Sequence, residues 1–153
     1  YKFRDGFLYY LGFKTDKYAN ELSADERKLT DIRIYEVLHK HDNKAIGFDV
    51  SEYQSEIDWE QTYHIDESFE LSFVFIRATA GKNKVDSRFK ENWKASKERE
   101  LIRGAYHYYR PNENSIEQAE NFIKNVKLEK GDLPPVLDIE KLHNLRFKSV
   151  VIC

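Results

Sequence analysis

The chain has 153 residues, with 25 Lys and Arg against 27 Asp and Glu and a formal net charge of -2. That length is one ordinary domain with room for a sizeable core, and the near-neutral balance argues against a dedicated nucleic-acid binder, which carries a clear basic excess. At 41% hydrophobic and 14% aromatic it is too apolar for a disordered chain. Its single cysteine, Cys153, excludes an intrachain disulfide or a Cys-based metal site, and no apolar run reaches the roughly 20 residues of a spanning helix.

The chain starts at Tyr1 and contains no methionine, so an initiator and a segment behind it are expected to be missing. Gly6–Phe13 is apolar, too short to span a membrane and without the flanks of a signal peptide; it predicts a packed strand or hairpin. Ser23 and Glu26 have capping-box spacing, and Leu29, Ile32, Tyr35 and Leu38 recur every three residues, which predicts a helix with one apolar face. The polar stretch Lys40–Lys44 closes it. Residues 1–44 are therefore expected to form an N-terminal helical extension packed on a main domain spanning 45–153.

From Lys44 onward the pattern becomes β/α. Four apolar runs predict strands over 45–50, 71–79, 101–109 and 133–139, and near-continuous runs of this kind suit strands of a parallel sheet covered on both faces. Between them, Asp86 precedes a helix carrying Phe89 and Trp93. Ser115 to Gln118 reads as a second capping box, ahead of an apolar stripe of Ile116, Ala119, Phe122, Ile123 and Val126. Gly131 ends that helix before Pro134 and Pro135. Strands joined by helix-length crossovers predict an α/β fold, either an open doubly wound sheet or a barrel.

In either fold, polar residues at strand C-termini face the ligand crevice. The first strand ends near Asp49, the third carries Tyr106, His107 and Tyr108, and the fourth ends Asp138-Ile139-Glu140. A carboxylate in an apolar strand is expensive unless paired or functional. Residues i and i+2 share a strand face about 6.6 Å apart, so Asp138 and Glu140 aim at one place. One of two such acids holds its proton to higher pH, which suits glycoside hydrolysis: a protonated acid for the leaving oxygen and a carboxylate for the positive centre. Taken alone, Asp-x-Glu fits equally well a strand end that caps a helix or pairs with an Arg. Tyr53, Trp59, Tyr106, Tyr108 and Tyr109 fall at or just beyond strand ends, where flat rings can stack on sugars, while His107 alternates to the other face and reads as a hydrogen-bonded structural residue. Phosphate-loop, zinc-protease and nucleophile-elbow motifs are absent.

Gly47-Phe48-Asp49-Val50-Ser51-Glu52-Tyr53-Gln54 followed by Ile57-Asp58-Trp59 resembles the opening strand of the glycoside hydrolase family 25 lysozymes. Phe75-Ile76-Arg77-Ala78-Thr79, Asp86 with Phe89 and Asn92, Gly104-Ala105-Tyr106-His107-Tyr108 and Pro135–Glu140 then follow in that family's order, so the resemblance runs from about Ile46 to Glu140. It implies an incomplete (β/α) barrel of the TIM type, comprising about its first four strands. It also implies an N-acetylmuramidase that cuts the β-1,4 bond between N-acetylmuramic acid and N-acetylglucosamine in peptidoglycan. By the same resemblance Glu140 is the general acid/base, Asp138 orients or stabilises the 2-acetamido group and Asp49 is a third acid. Tyr106, Tyr108 and Arg77 are implied as substrate contacts. No metal or organic cofactor is implied; the partner is the peptidoglycan glycan strand, and the location is secreted or in the cell envelope.

Two departures stand out. Ala80 occupies a position where the family usually has Glu, and the chain stops at Cys153 where the family continues with a helix, further strands and a late acid. Four strands do not close a barrel, so a truncated muramidase with a bare strand edge, poor folding and weak or no activity is the expectation.

Overall fold

The computed structural model describes residues 24–41, 43–60, 64–65, 69–140 and 150–152. The predicted Gly6–Phe13 strand and the Ser23 cap lie outside them. Helix α1 (Ala24–Lys40) is followed by β1 (Ile46–Val50), a 3-10 turn (Glu52–Gln54), β2 (His64–Ile65), β3 (Phe69–Ala80) and β4 (Lys84–Val85). Then come α2 (Phe89–Glu98), β5 (Ile102–Tyr108), α3 (Ser115–Asn125), β6 (Val136–Ile139) and β7 (Val150–Ile152). All four predicted strands are present, and the sheet order is β1-β3-β5-β6-β7 with β2 and β4 paired to β3. The first three contacts along that path are parallel, and the sheet curls into a half-barrel with helices on its outer side.

Strand alternation divides the residues between two faces. Phe48, Val50, Val74, Ile76, Ala78 and Ala105 form the main core with Trp59, Phe89, Leu101 and Val126, and Trp93 and Phe122 pack against it. The other face is concave. There Gly47 pairs with Phe73 and Gly104 with Phe75, and a Cβ on either glycine would fall inside the facing ring. The two rings meet edge to face at 5.9 Å and floor the concave side beneath Asp49. Between Arg77 and Thr79 the β3 register shifts. This bulge leaves Arg77 opposite Tyr106 on the concave face but turns Thr79 to the helix side, opposite His107.

Several local expectations change. Of the predicted row, Leu29 and Ile32 are exposed, Tyr35 is half-buried and Leu38 is buried: steps of three residues rotate 300°, so a row continued that way winds round the helix. In α3 the N-cap is Asn114, one residue earlier than predicted, whose side chain accepts from the amides of Ile116 and Glu117. Both are strong capping residue types. Ser115 instead bonds the Tyr109 hydroxyl at 2.7 Å.

The apolar stripe predicted for α3 also divides. Phe122 and Val126 pack inward, while Ala119 is exposed and Ile116 and Ile123 are 70% and 73% exposed. The deepest residue of the helix is Gln118, 1% exposed. Its amide donates to the carbonyls of Arg110 and Glu113 and accepts from the Arg110 N–H. That polar clamp orients the helix, and the isoleucines turn outward.

The edge of β6 is also not bare. β7 pairs with it antiparallel, Asp138 opposite Val151, in a segment for which no strand is predicted.

Candidate active site

β1 and β6 are separated by β3 and β5. In a flat sheet their ends would lie roughly 14 Å apart at the usual strand spacing, further than a Debye length at physiological salt. Curling brings their acids into one field. Burial and the charge of Asp138 push Asp49 up from 3.8 to about 6, with Glu140 adding to the rise and its own backbone amide and Arg77 opposing it. Burial, then Glu140, raise Asp138 to about 6, again against Arg77. The three acids predicted from strand ends therefore share one concave site. Tyr106 is buried among them, its hydroxyl pushed well up by burial and the Asp49 charge. Tyr108 is half-buried and in register with Asp138, and Ala80, in register with Tyr108, lies beside them.

Arg77 is where the structure adds most. Its side chain is 7% exposed, Nε donates to Asp86 Oδ2 at 2.8 Å and Nη2 lies 3.2 Å from Glu52 Oε1. Its guanidinium carbon sits 4.6 Å from the centre of the Tyr53 ring. Asp86 is a hub, because its carboxylate also accepts the amides of Glu52 and Arg88. Glu52 in turn bonds Lys84 and both the amide and hydroxyl of Ser87. The loop after β1 and the loop before α2 are thus tied together round one cation beside the acids.

Asp86, Glu52 and Tyr53 escape prediction as parts of this cluster because their partners lie far along the chain. One local signal was available. Ser51 and Gln54 have the spacing of a capping box, and the Ser51 amide does donate to Gln54 Oε1 at 2.7 Å while Ser51 Oγ accepts from the Tyr53 amide.

His107 lies on the opposite face from the acids, as alternation predicts. Gln118 Oε1 is a carbonyl oxygen and only accepts, so His107 Nε2 donates to it at 3.1 Å, and Nδ1 accepts from the Thr79 hydroxyl at 2.7 Å. Burial lowers its pKa, and the neutral ring fastens β5 to β3 and α3. Trp59 packs on Phe48 in the core, with ring centres 6.0 Å apart. Among the described residues, no group of three or more His, Cys, Asp or Glu could hold a metal ion, and no helix is long and apolar enough to cross a membrane.

Residues 48–151 match Glycosyl hydrolases family 25. Uncharacterized protein YegX of Escherichia coli strain K12 is 42% identical over 105 residues, which cover 68% of this chain and 39% of that protein. Lysozyme M1 of Streptomyces globisporus is 41% identical over 102 residues, 64% of this chain and 33% of that one. The structure of a family 25 glycosyl hydrolase from Bacillus anthracis superposes with a TM-score of 0.58 and 39% identity over 66% of this chain and 45% of its own. The chain spans less than half the length of each of these relatives. With the half-barrel and its three strand-end positions, these matches place the chain in Glycosyl hydrolases family 25.

Proposed function

We propose that the chain carries the acid cluster of a peptidoglycan-cleaving glycoside hydrolase, an N-acetylmuramidase acting on the β-1,4 bond between N-acetylmuramic acid and N-acetylglucosamine. The observation that supports it most is the convergence of the three strand-end acids: the charge of Glu140 raises both Asp49 and Asp138, and that of Asp138 raises Asp49. Such a cluster holds a proton for a leaving oxygen and a negative charge for the sugar cation within one site. Glu140 is assigned as general acid/base, Asp138 as the carboxylate that orients or stabilises the 2-acetamido group, and Asp49 as the third acid that tunes the pair. Tyr106 and Tyr108 contact the sugar, and Arg77 acts on it from beneath through its field, since Asp86 and Glu52 occupy its guanidinium. In this reading the partner is the glycan strand of the wall, and the location is secreted or in the cell envelope.

The test is release of muropeptides with new reducing ends at muramic acid from purified peptidoglycan. Glu140→Gln is expected to lower that release by about a hundredfold or more, the usual contribution of a general acid/base. Equal release by both proteins sinks the assignment. A second reading is a half-barrel that holds wall glycan without cutting it. It predicts sedimentation with insoluble peptidoglycan, unchanged by Glu140→Gln, and no released fragments.

A further inference from the structure

Five aromatic residues fall at strand ends, and the structure sorts them. Trp59 is in the core, Tyr106 is buried among the acids, and Tyr108 and Tyr109 are half-buried. Tyr53 alone of the five is open, 59% exposed. Yet its surroundings are not those of a loose surface ring. The Ser51–Gln54 capping box fixes the turn that carries it, and the Glu52 amide is tied to Asp86 on the next loop at 2.9 Å. The Arg77 guanidinium lies against the ring, held in place by two acids. A flat side chain fixed on one face and open to solvent elsewhere has lost its conformational freedom before any ligand arrives, which removes much of the entropic cost of binding. Arg77 is in register with Tyr106 on the concave face, and its charge is felt by Asp49 and Asp138.

We propose that Tyr53 is a sugar-stacking platform at the mouth of the acid site, propped from behind by Arg77, and that it takes the apolar C–H face of a pyranose ring in the glycan strand. The inference rests on the proposed glycan-cleaving function and adds a contact to it. Pyranose rings carry C–H groups on one face and hydroxyls round the rim, so a tyrosine ring gains dispersion and apolar burial from the face and leaves the rim to solvent or to polar groups. Tyr53 is a binding residue in this account; the chemistry stays with the acids.

The experiment titrates a tetrasaccharide of alternating N-acetylglucosamine and N-acetylmuramic acid into the Glu140→Gln protein, which removes cutting, and into the same protein with changes at position 53. Tyr53→Ala is expected to weaken binding about tenfold, the scale of a lost stacking contact. Tyr53→Phe and Tyr53→Trp keep affinity within about twofold because they keep the flat face. Tyr53→Leu, which still covers Arg77 but has no flat ring, is expected to bind as weakly as Tyr53→Ala while melting at the temperature of the parent. Parent-like affinity in Tyr53→Ala or Tyr53→Leu overturns the platform, the latter showing that the ring only shields Arg77. Absence of binding by the Glu140→Gln parent overturns the glycan assignment itself, and the platform with it.

Discussion

At the scale of single residues, Asp49 works against the fold that holds it. Its carboxyl keeps a proton to about pH 6 in the native protein against 3.8 as its ordinary value. Between those values the native state binds more protons than the unfolded chain, so stability falls as pH rises from about 4 to about 6 and then levels. The shift corresponds to at most about 3 kcal/mol, less what is shared with Asp138. Asp49→Asn removes the ionisation, so its melting temperature relative to the parent is expected to be higher at pH 7.5 than at pH 4, alongside a loss of the proposed glycan cleavage. An offset that is the same at both pH values counts against the burial of this acid. Asp49, Asp138 and Glu140 can be picked out in the sequence as acids ending apolar strands, but that pattern alone fits a helix cap or an Arg partner equally well, and only the order of the family motifs singles them out. Arg77 was legible as a polar residue on the right strand, but not as a guanidinium already engaged by Asp86 and Glu52, since nothing local announces partners supplied by two loops. Gln118 was illegible for the opposite reason: a glutamine in an amphipathic helix reads as surface until its four partners are known.

At the scale of elements, near-continuous apolar runs proved more dependable than helical periodicities. The parallel strands emerged near their predicted bounds because each is apolar through most of its length, whereas α3 is placed by the Gln118 hydrogen bonds, which propensity does not encode. The tie between β5, α2 and the segment before β6 shows how such contacts work. Arg103, buried at the start of β5, makes a two-pronged pair with Asp132 at 2.7 and 3.3 Å, donates to the Trp93 carbonyl at 2.7 Å and lies 4.1 Å from the centre of the Trp93 ring. Lys97 and Glu129 extend the cluster. Arg103→Ala leaves the Asp132 charge with little solvent around it and is expected to lower unfolding free energy by about 3 kcal/mol. Arg103→Lys, which keeps the charge but not the fork, falls between. Urea denaturation measures both, and a loss below about 1 kcal/mol in the alanine variant contradicts this role. Arg103 sits at the opposite end of β5 from the acids, so neither change is expected to move the pH profile of the proposed cleavage.

At the scale of the whole molecule, the sheet has its main core on one side and its chemistry on the other. The order of the parallel strands follows the chain, and their curl brings β1 and β6 into one site, which strand prediction alone does not provide. β7 was missed because the run Val150–Ile152 is too short to announce itself, and its antiparallel pairing closes a strand edge otherwise open to association. Deleting residues 150–153 is expected to raise concentration-dependent light scattering and to speed amide exchange over 137–139; unchanged scattering and exchange contradict the pairing. The concave floor has a longer reach. Phe73 and Phe75 occupy the volumes that side chains at Gly47 and Gly104 would need, so each glycine and its ring behave as one hereditary unit. A lineage gaining a methyl group at either glycine must first give up the facing phenyl, and would then lose the base on which its acids stand. Among relatives that keep this half-barrel, the members of each pair should change together or not at all.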